Sequence, residues 1–306
     1  MMAASSIGVT IEADDFGASA ARDRGILLAI SFGLINAVSA FAVSRWRGDR
    51  KLPERVLATL RRTSAGIHLD LTDGPFTTEA FARWVQSRRL HGDKRDVWLA
   101  GVAGELPLSL AGEEIRSQFA RFRETFGRWP THVSGHNHIH ISHPDLFAVT
   151  CDLSAAHSPG TVRVPYESPT ELDPLIVCRC VPAVSDSRGT SVAGHERDDL
   201  AILVRAMRTC PIADYRLYER CIERLPAADT ELYHGTTYGH LRSLKALDRV
   251  LARMTAIPGA HRFVVHPGLS WRGKAFEGAD RLRELILLYR RRPTLRALLE
   301  GDLHES

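Results

Sequence analysis

Short apolar segments alternate with helical segments along this chain, and this alternation limits its fold more than any other feature. Ile7 to Ile11 has the pattern of a strand, and Ala18 to Phe32 has helical spacing and ends before Gly33. Strands that alternate with helices are typical of a parallel sheet or barrel. The sequence therefore predicts the α/β class and a (β/α) barrel-like fold, of the distorted or incomplete TIM type.

The alternation continues through most of the chain. Further strands are predicted at Ala37–Val43, Gly66–Leu71, Thr131–Val133, Thr161–Val164 and Arg262–Val265, and further helices at Pro53–Arg62, Glu113–Phe126, Leu241–Met254 and Asp280–Arg291. A chain of 306 residues fits one barrel, so we expect a single domain over residues 1–306. Residues 73–108, which carry Trp84 and Trp98, are interpreted as an insertion over the site or, equally, as a plain surface excursion.

The charge and hydropathy of the sequence argue against a nucleic-acid partner and against a membrane span. The 40 basic and 36 acidic residues are interspersed, with a formal net charge of +4, so nucleic-acid binding is not indicated. No stretch reaches the roughly 18 apolar residues of a membrane span, and the N-terminus lacks the pattern of a secretion signal. The five cysteines are odd in number and form no CxxC pair, which fits a reduced compartment. We therefore expect a soluble, cytoplasmic protein.

Two adjacent carboxylates, Asp14 and Asp15, follow the first predicted strand and precede Phe16 and Gly17. Side chains that point in different directions at a strand end can divide two tasks, so that one ligates a metal while the other accepts a proton. In barrels of this kind the C-terminal ends of the strands converge on one face, where active sites lie. A solvated Asx turn is the alternative, and this motif alone does not decide between the two.

A dense group of histidines lies in the middle of the chain. His136, His138 and His140 alternate, so an extended segment would place them on one face. Neutral imidazole is the commonest nitrogen ligand of metals, and two histidines with one carboxylate leave open positions on a catalytic divalent ion. The cluster therefore predicts a metal site. His68 stands alone in an apolar strand, where a hydrogen-bonded core histidine is the more frequent interpretation.

Two further polar residues end predicted strands. His266, in the run Val264–Gly268, is a candidate general acid, with a turn histidine before Pro267 as the alternative. Arg163 could pair with a carboxylate and is included among the candidate catalytic residues, although a surface arginine is nearly as good an interpretation.

Together these motifs resemble the YdjC-like carbohydrate deacetylase family, which includes chitooligosaccharide deacetylases. The resemblance spans nearly the whole chain and rests on the order of four motifs, at Ala13–Gly17, Gly66–Leu69, Pro130–His140 and His266–Gly268. It implies a (β/α) barrel-like fold and one divalent ion, magnesium or zinc, held by Asp15, His68 and His136. It also implies that Asp14 is the catalytic base and His266 the catalytic acid.

The activity implied by the resemblance is the hydrolysis of an N-acetyl group on an amino sugar or oligosaccharide, with release of acetate. Family members often have Asp-Ser before the first histidine of the cluster, where this chain has Ser134–Gly135. They often have glutamate four residues before the histidine of the His-Pro-Gly motif, where this chain has Arg262. These departures concern substrate preference and the contacts behind the metal site.

Other functions and several details stay open. One alternative is a metal-dependent amidohydrolase or phosphoesterase with His136 and His138 as a ligand pair, although such pairs usually lie on the first strand of a barrel. Another is a non-catalytic sugar- or metal-binding protein of the same fold. The substrate could be a chitooligosaccharide, a lipid-linked or hopanoid amino sugar, or an antibiotic precursor. Trp84 and Trp98 could stack on its rings, and a homodimer is one option for the assembly.

Overall fold

The computed structural model describes residues 8–48, 50–88, 97, 100–101, 104–157, 162–163, 232–234, 243–256, 260–269 and 279–300. Within these residues, six parallel strands form one sheet. The strands are β1 (Val9–Phe16), β2 (Ala37–Ala40), β3 (Ser64–Leu69), β4 (Val133–Gly135), β5 (Leu232–His234) and β6 (His261–Val265). Their order in the sheet is β4-β3-β2-β1-β6-β5, and every neighbouring pair is parallel.

Helices connect the strands and cover the sheet. They are α1 (Ala20–Ser31), α2 (Glu54–Leu60), α3 (Glu79–Arg88), α4 (Leu108–Phe126), α5 (Pro144–His157), α6 (Leu244–Ala256), α7 (Ala279–Arg290) and α8 (Arg292–Glu300), with a 3₁₀ helix over His136–Ile141. A curled, all-parallel sheet that alternates with helices is a distorted (β/α) barrel. The fold class predicted from the sequence is therefore confirmed.

The centre of the sheet is β1, which lies between β2 and β6. Its apolar residues Ile11, Ala13 and Phe16 are buried in the core. Its polar residues Glu12 and Asp14 are buried as well, because a central strand of a parallel sheet is covered on both faces. Charged side chains in such a strand need partners of opposite charge, and these partners define the functional site.

Helix α1 packs very closely against the loop that follows β6. A Cβ atom on Gly25 of α1 would lie 2.4 Å from Cα of Gly268, which no real Cβ contact allows. Glycine at this position lets the helix approach the His266–Gly268 segment. The close packing therefore places His266 beside the first βα unit.

Several boundaries differ from those predicted. The first strand does not end at Ile11 but continues through both aspartates to Phe16, because the buried carboxylates find partners inside the fold. The strand predicted at residues 131–133 runs over Val133–Gly135, and β5, α3, α5 and α8 were not predicted. Of the strand predicted at 161–164, only Val162 and Arg163 lie within the described residues, and Val162 bridges to Val133 in parallel.

The described part of the predicted insertion at 73–108 includes α3. Phe81 and Val85 of this helix are buried in the core, and the Trp84 ring stacks on Phe81 with centroids 5.8 Å apart. Trp98 lies outside the described residues. None of the helices in the described ranges combines the length and the apolar character that a membrane crossing requires.

Candidate metal centre and active site

Asp15, His68 and His136 meet at the C-terminal edge of the sheet. Asp15 lies near the end of β1, His68 in β3, and His136 directly after β4. The Asp15 Oδ1 atom is 3.2 Å from His68 Nε2 and 3.0 Å from His136 Nδ1. One potential ligand atom from each residue lies within 4.8 Å of the others. The structure thus brings together the three residues that the family resemblance implied as ligands.

A local distortion of β1 aims Asp15 at the two histidines. The register between β1 and β2 shifts between Ala13 and Phe16, and Asp15 has a φ of 65°. Left-handed backbone is costly for most residues and is tolerated best by glycine, asparagine and aspartate. The distortion separates the side chains of the two aspartates, because Asp14 makes its contacts with a different set of partners. Backbone strain of this kind is common at functional sites.

Charged neighbours keep Asp15 ionised. Burial raises the pKa of Asp15, but the Arg22 guanidinium and His136 outweigh burial and hold that pKa well below its usual value. Arg22, in the first turn of α1, forms an ion pair with Asp15 Oδ2. An ionised carboxylate is the form that ligates a metal.

Asp73 stands behind His136. The His136 Nε2 atom lies 2.9 Å from Asp73 Oδ2, and Asp73 is in turn 3.4 Å from the guanidinium of Arg45. Metal-ligating histidines usually donate their second ring N–H to a carboxylate, which orients the ring. Burial lowers the pKa of His136, but Asp15 and Asp73 raise it to about 9. A proton therefore competes with a metal ion for the His136 nitrogen that would bind the ion.

The donor set fits a catalytic divalent ion. Two imidazole nitrogens and one carboxylate oxygen from three separate chain segments match the protein ligands of such sites and leave positions for water and substrate. Among the described residues, the group with metal-ligand spacing contains His136 and excludes His138. The ligand pair of the amidohydrolase alternative is therefore not supported.

A second group lies beside the triad, around Asp14. Both carboxylate oxygens of Asp14 accept hydrogen bonds from Arg163, at 2.8 and 2.7 Å. Arg163 is 4% exposed, so the surface-arginine interpretation is wrong. The His266 Nε2 atom lies 3.8 Å from Asp14 Oδ2, beyond a direct hydrogen bond but within reach of a shared substrate or water.

The environment of His266 favours the neutral ring. Burial lowers the pKa of His266 to about 4, against the opposite influence of Asp15 and Asp14. The backbone N–H of His266 donates to Glu284 Oε2 at 3.1 Å and ties the loop after β6 to α7. His266 is buried at the site.

The histidine cluster does not form one extended face, contrary to the alternation in its sequence. Residues 136–141 form a 3₁₀ helix in which Asn137 and His138 have φ values of 52° and 56°. Only His136 joins the triad, while His140 is fully buried and its Nε2 donates to the backbone oxygen of Arg163 at 2.8 Å. His140 therefore supports the chain segment that carries Arg163.

Three residues at the site were missed from the sequence: Arg22, Asp73 and Glu12. Arg22 lies seven residues after Asp15, in the first turn of the helix that follows β1. The helix of a βα unit begins close to the end of its strand, so this geometry could have predicted Arg22 as a partner of Asp15. Asp73 and Glu12 have no sequence motif that marks them, and only the folded sheet shows their partners.

The architecture and this site define a distorted (β/α) barrel protein with a largely buried Asp-His-His cluster at the strand ends and an Asp-Arg pair beside it. The model of the YdjC-like protein family matches residues 8–305. The chain therefore belongs to the YdjC-like family.

Curated relatives are named for the deacetylation of sugars. A carbohydrate deacetylase from Homo sapiens is 28% identical over 313 residues, covering 96% of this chain and 87% of the relative. A carbohydrate deacetylase from Mus musculus is 32% identical over 54% of this chain, and a chitooligosaccharide deacetylase from Serratia marcescens is 32% identical over 45% of it. These two matches span only 53% and 51% of the relatives' own lengths.

A solved structure shares the fold. The crystal structure of an Enterococcus faecalis V583 protein named for the cleavage of cellobiose-phosphate superimposes with a TM-score of 0.60. The match covers 97% of this chain and 96% of that one at 18% sequence identity. The likeness supports the barrel assignment independently of the family match.

Proposed function

We propose that this protein is a metal-dependent carbohydrate N-deacetylase, which hydrolyses the N-acetyl group of an amino sugar or oligosaccharide and releases acetate. The observation that carries the proposal is the pairing of two separate groups at one strand edge. One is the Asp15–His68–His136 triad, and the other is Asp14 with Arg163 and His266. The names of the curated relatives support the sugar substrate class.

The triad would hold one divalent ion, magnesium or zinc. Such an ion, when bound, polarises the acetamide carbonyl and lowers the pKa of water at the site. The protein contributes an ionised Asp15 and two histidines whose other ring nitrogens face hydrogen-bond partners, Asp73 and Ser134. These contacts hold the ligands in place before an ion arrives.

Asp14 would act as the general base. It lies next to Asp15 in the chain but is not one of the three clustered ligands, so its carboxylate stays available for a proton. Arg163 fixes the plane of that carboxylate and compensates its charge. An oxygen that accepts one hydrogen bond from Arg163 has a further lone pair for water.

His266 would protonate the departing amine. In the overall reaction the carbonyl carbon gains the oxygen of water, the C–N bond breaks, and one water proton must end on nitrogen. His266 is neutral before turnover because burial lowers its pKa to about 4. The proton taken by Asp14 can pass through a water or the substrate to His266 Nε2, which lies 3.8 Å away, and from there to the amine. Each such proton-transfer group typically contributes ~10²–10⁴ in rate.

Acetate release tests this proposal directly. The protein would be incubated with a panel of N-acetylated glycans, including chitooligosaccharides and lipid-linked amino sugars, and the metal content of the same sample would be measured. We expect acetate from at least one substrate class and loss of that activity on chelation. A metal-loaded protein that binds the glycans but releases no acetate would instead be a sugar-binding protein.

A further inference from the structure

A row of buried polar groups connects His68 to Glu12 in the core of the sheet. The His68 Nδ1 atom lies 2.7 Å from Ser134 Oγ, and Ser134 Oγ lies 2.7 Å from Ser39 Oγ. Ser39 Oγ donates a hydrogen bond to Glu12 Oε1. All four residues are at most 2% exposed, and none of them belongs to the proton-transfer group around Asp14.

We propose that Glu12, Ser39 and Ser134 are positioning residues that hold the His68 ring with its proton on Nδ1, so that Nε2 presents a free lone pair to a divalent ion. We call this row the serine relay. The part that concerns the ion rests on the proposed function, whereas the position of the ring proton does not.

Glu12 anchors the relay as an ionised carboxylate. Its Oε2 atom pairs with Arg262 at 2.6 Å, and its Oε1 atom lies 3.3 Å from Arg163 and 2.9 Å from His132 Nε2. Burial raises the pKa of Glu12, but His132, Arg163 and Arg262 together hold it well below its ordinary value. An ionised carboxylate has no proton to donate, so every hydrogen bond at Glu12 Oε1 is donated toward it.

The direction of the two hydroxyl groups follows from this. A serine has a single O–H proton, and that of Ser39 is used on Glu12. In the 2.7 Å contact between the two hydroxyls, Ser134 must therefore be the donor. The other acceptor near Ser134 Oγ is the backbone oxygen of Ile67 at 3.3 Å, which also directs the proton away from His68.

The position of the proton on His68 is then determined. Ser134 Oγ can only accept from the ring, so Nδ1 carries the hydrogen. In the neutral ring Nε2 then has no hydrogen, and it lies 3.2 Å from Asp15 Oδ1 in the triad. Two lone pairs at this separation repel each other unless a cation lies between them. The relay therefore prepares the triad for a metal rather than for a direct hydrogen bond.

Each candidate histidine ligand is thus supported by a carboxylate, directly in one case and through other side chains in the other. For His136 it is Asp73 in direct contact, and for His68 it is Glu12 through two hydroxyl groups. Partners of this kind raise the basicity of the ligand as well as orienting it. Arg262 stands where family members often have glutamate, and in this chain it neutralises the carboxylate at the end of the relay.

The surrounding backbone makes room for the relay. A Cβ atom on Gly66 would lie 2.3 Å from the His132 ring, so glycine in β3 lets that ring lie beside Glu12. His132 Nε2 lies 3.2 Å from Ser39 Oγ as well as 2.9 Å from Glu12. His132 therefore encloses the anionic end of the relay.

The first test is metal affinity, measured by calorimetric titration with Zn²⁺ and, separately, with Mg²⁺. Ser134→Ala removes the acceptor of the His68 Nδ1–H group, and we expect it to weaken the ion that binds the wild type by about 10- to 100-fold. Ser39→Ala separates Ser134 from Glu12 and should act in the same direction with a smaller effect. Ser154→Ala, at another buried serine on α5, is the control and should bind as the wild type.

The second test is the position of the ring proton, read from nitrogen-15 chemical shifts of His68 in metal-free protein at a pH where the ring is neutral. We expect Nδ1–H in the wild type and a shift toward Nε2–H in Ser134→Ala, because Nε2–H could then donate to Asp15. Wild-type affinity and an unchanged proton position in both serine variants would overturn the proposal. If the wild type binds neither ion, the proposed function fails while the proton position still decides whether the relay acts.

Discussion

Arg163 donates hydrogen bonds to Asp14 from both terminal nitrogens of its guanidinium, although the two residues are 149 positions apart in the chain. Both side chains are buried at the strand ends. A forked contact of this kind fixes the plane of a carboxylate and not only its charge. The orientation of the proposed base therefore depends on a residue that follows β4.

The first prediction concerns this fork. Arg163→Lys keeps a positive charge but removes the second hydrogen bond to Asp14. We expect turnover to fall by roughly 100-fold, because Asp14 is no longer held in one orientation. Metal content should stay at the wild-type level. Steady-state acetate release and metal analysis of one preparation check this, with Arg61→Lys on the surface as the control. Equal turnover in the two variants would show that the fork has no role in catalysis.

The second prediction separates the two aspartates. Asp14→Asn is expected to retain the metal, because Asp14 is not one of the three proposed ligands, and to lose ~10²–10⁴ in turnover, because an amide cannot accept the water proton. The measurement is single-turnover acetate release by metal-loaded protein. A variant with normal turnover would mean that another group is the base.

The third prediction concerns the triad. His136→Ala is expected to lose bound metal and activity together, since it removes one of the three proposed ligands. His143→Ala is the matched control, because His143 lies in the same histidine-rich segment but outside the triad. Metal analysis after dialysis distinguishes the two variants. Retention of metal by His136→Ala would place the ion elsewhere.

The fourth prediction concerns stability against acid. The folded-state pKa of Glu12 is held below its unfolded value, so its ionisation contributes stability above about pH 4.5, and this contribution is lost as the pH falls. Glu12→Gln should lower the free energy of unfolding by about 3–5 kcal/mol at neutral pH, because it removes the carboxylate that Arg163 and Arg262 share.

Denaturant unfolding from pH 7 to pH 3 measures this effect. The difference between wild type and Glu12→Gln should shrink as the pH falls below about 4.5. Glu54→Gln, which changes an exposed carboxylate paired with Arg61, should differ little from wild type at any pH. A difference for Glu12→Gln that is the same at every pH would contradict the charge-based explanation.

The fifth prediction uses two glycines within helices. Gly25→Ala should destabilise the fold and lower turnover, because the new Cβ would meet the backbone of Gly268 at 2.4 Å and displace the loop that carries His266. Gly112→Ala in α4 meets nothing closer than 3.5 Å and should be neutral or stabilising by up to about 1 kcal/mol. Thermal unfolding and acetate release of both variants check the contrast. Similar behaviour of the two would show that the close packing is not required.

The sequence was sufficient for the fold class. Strand and helix periods identified the βα units, and the resemblance to the YdjC-like family supplied Asp15, His68 and His136, which the structure brings together. Such patterns are local, and they survive folding because the strands of a parallel sheet all end on the same side.

Long-range partners could not be predicted in this way. The contacts from Glu12 to His132 and Arg262 join residues 120 and 250 positions apart, and no local pattern specifies them. The backbone conformation of residues 136–141 could not be predicted either. The left-handed backbone at Asn137 and His138 depends on its surroundings rather than on the alternation of residue types.

The central place of β1 joins two distant parts of the chain. The three residues of the triad come from the first 136 residues, on β1 and on the strands to one side of it or directly after them, whereas His266 follows β6 on the other side. Arg262 of β6 pairs with Glu12 of β1 and connects the two sides. A substitution in the later stretch that disturbs Arg262 is therefore transmitted to β1 itself.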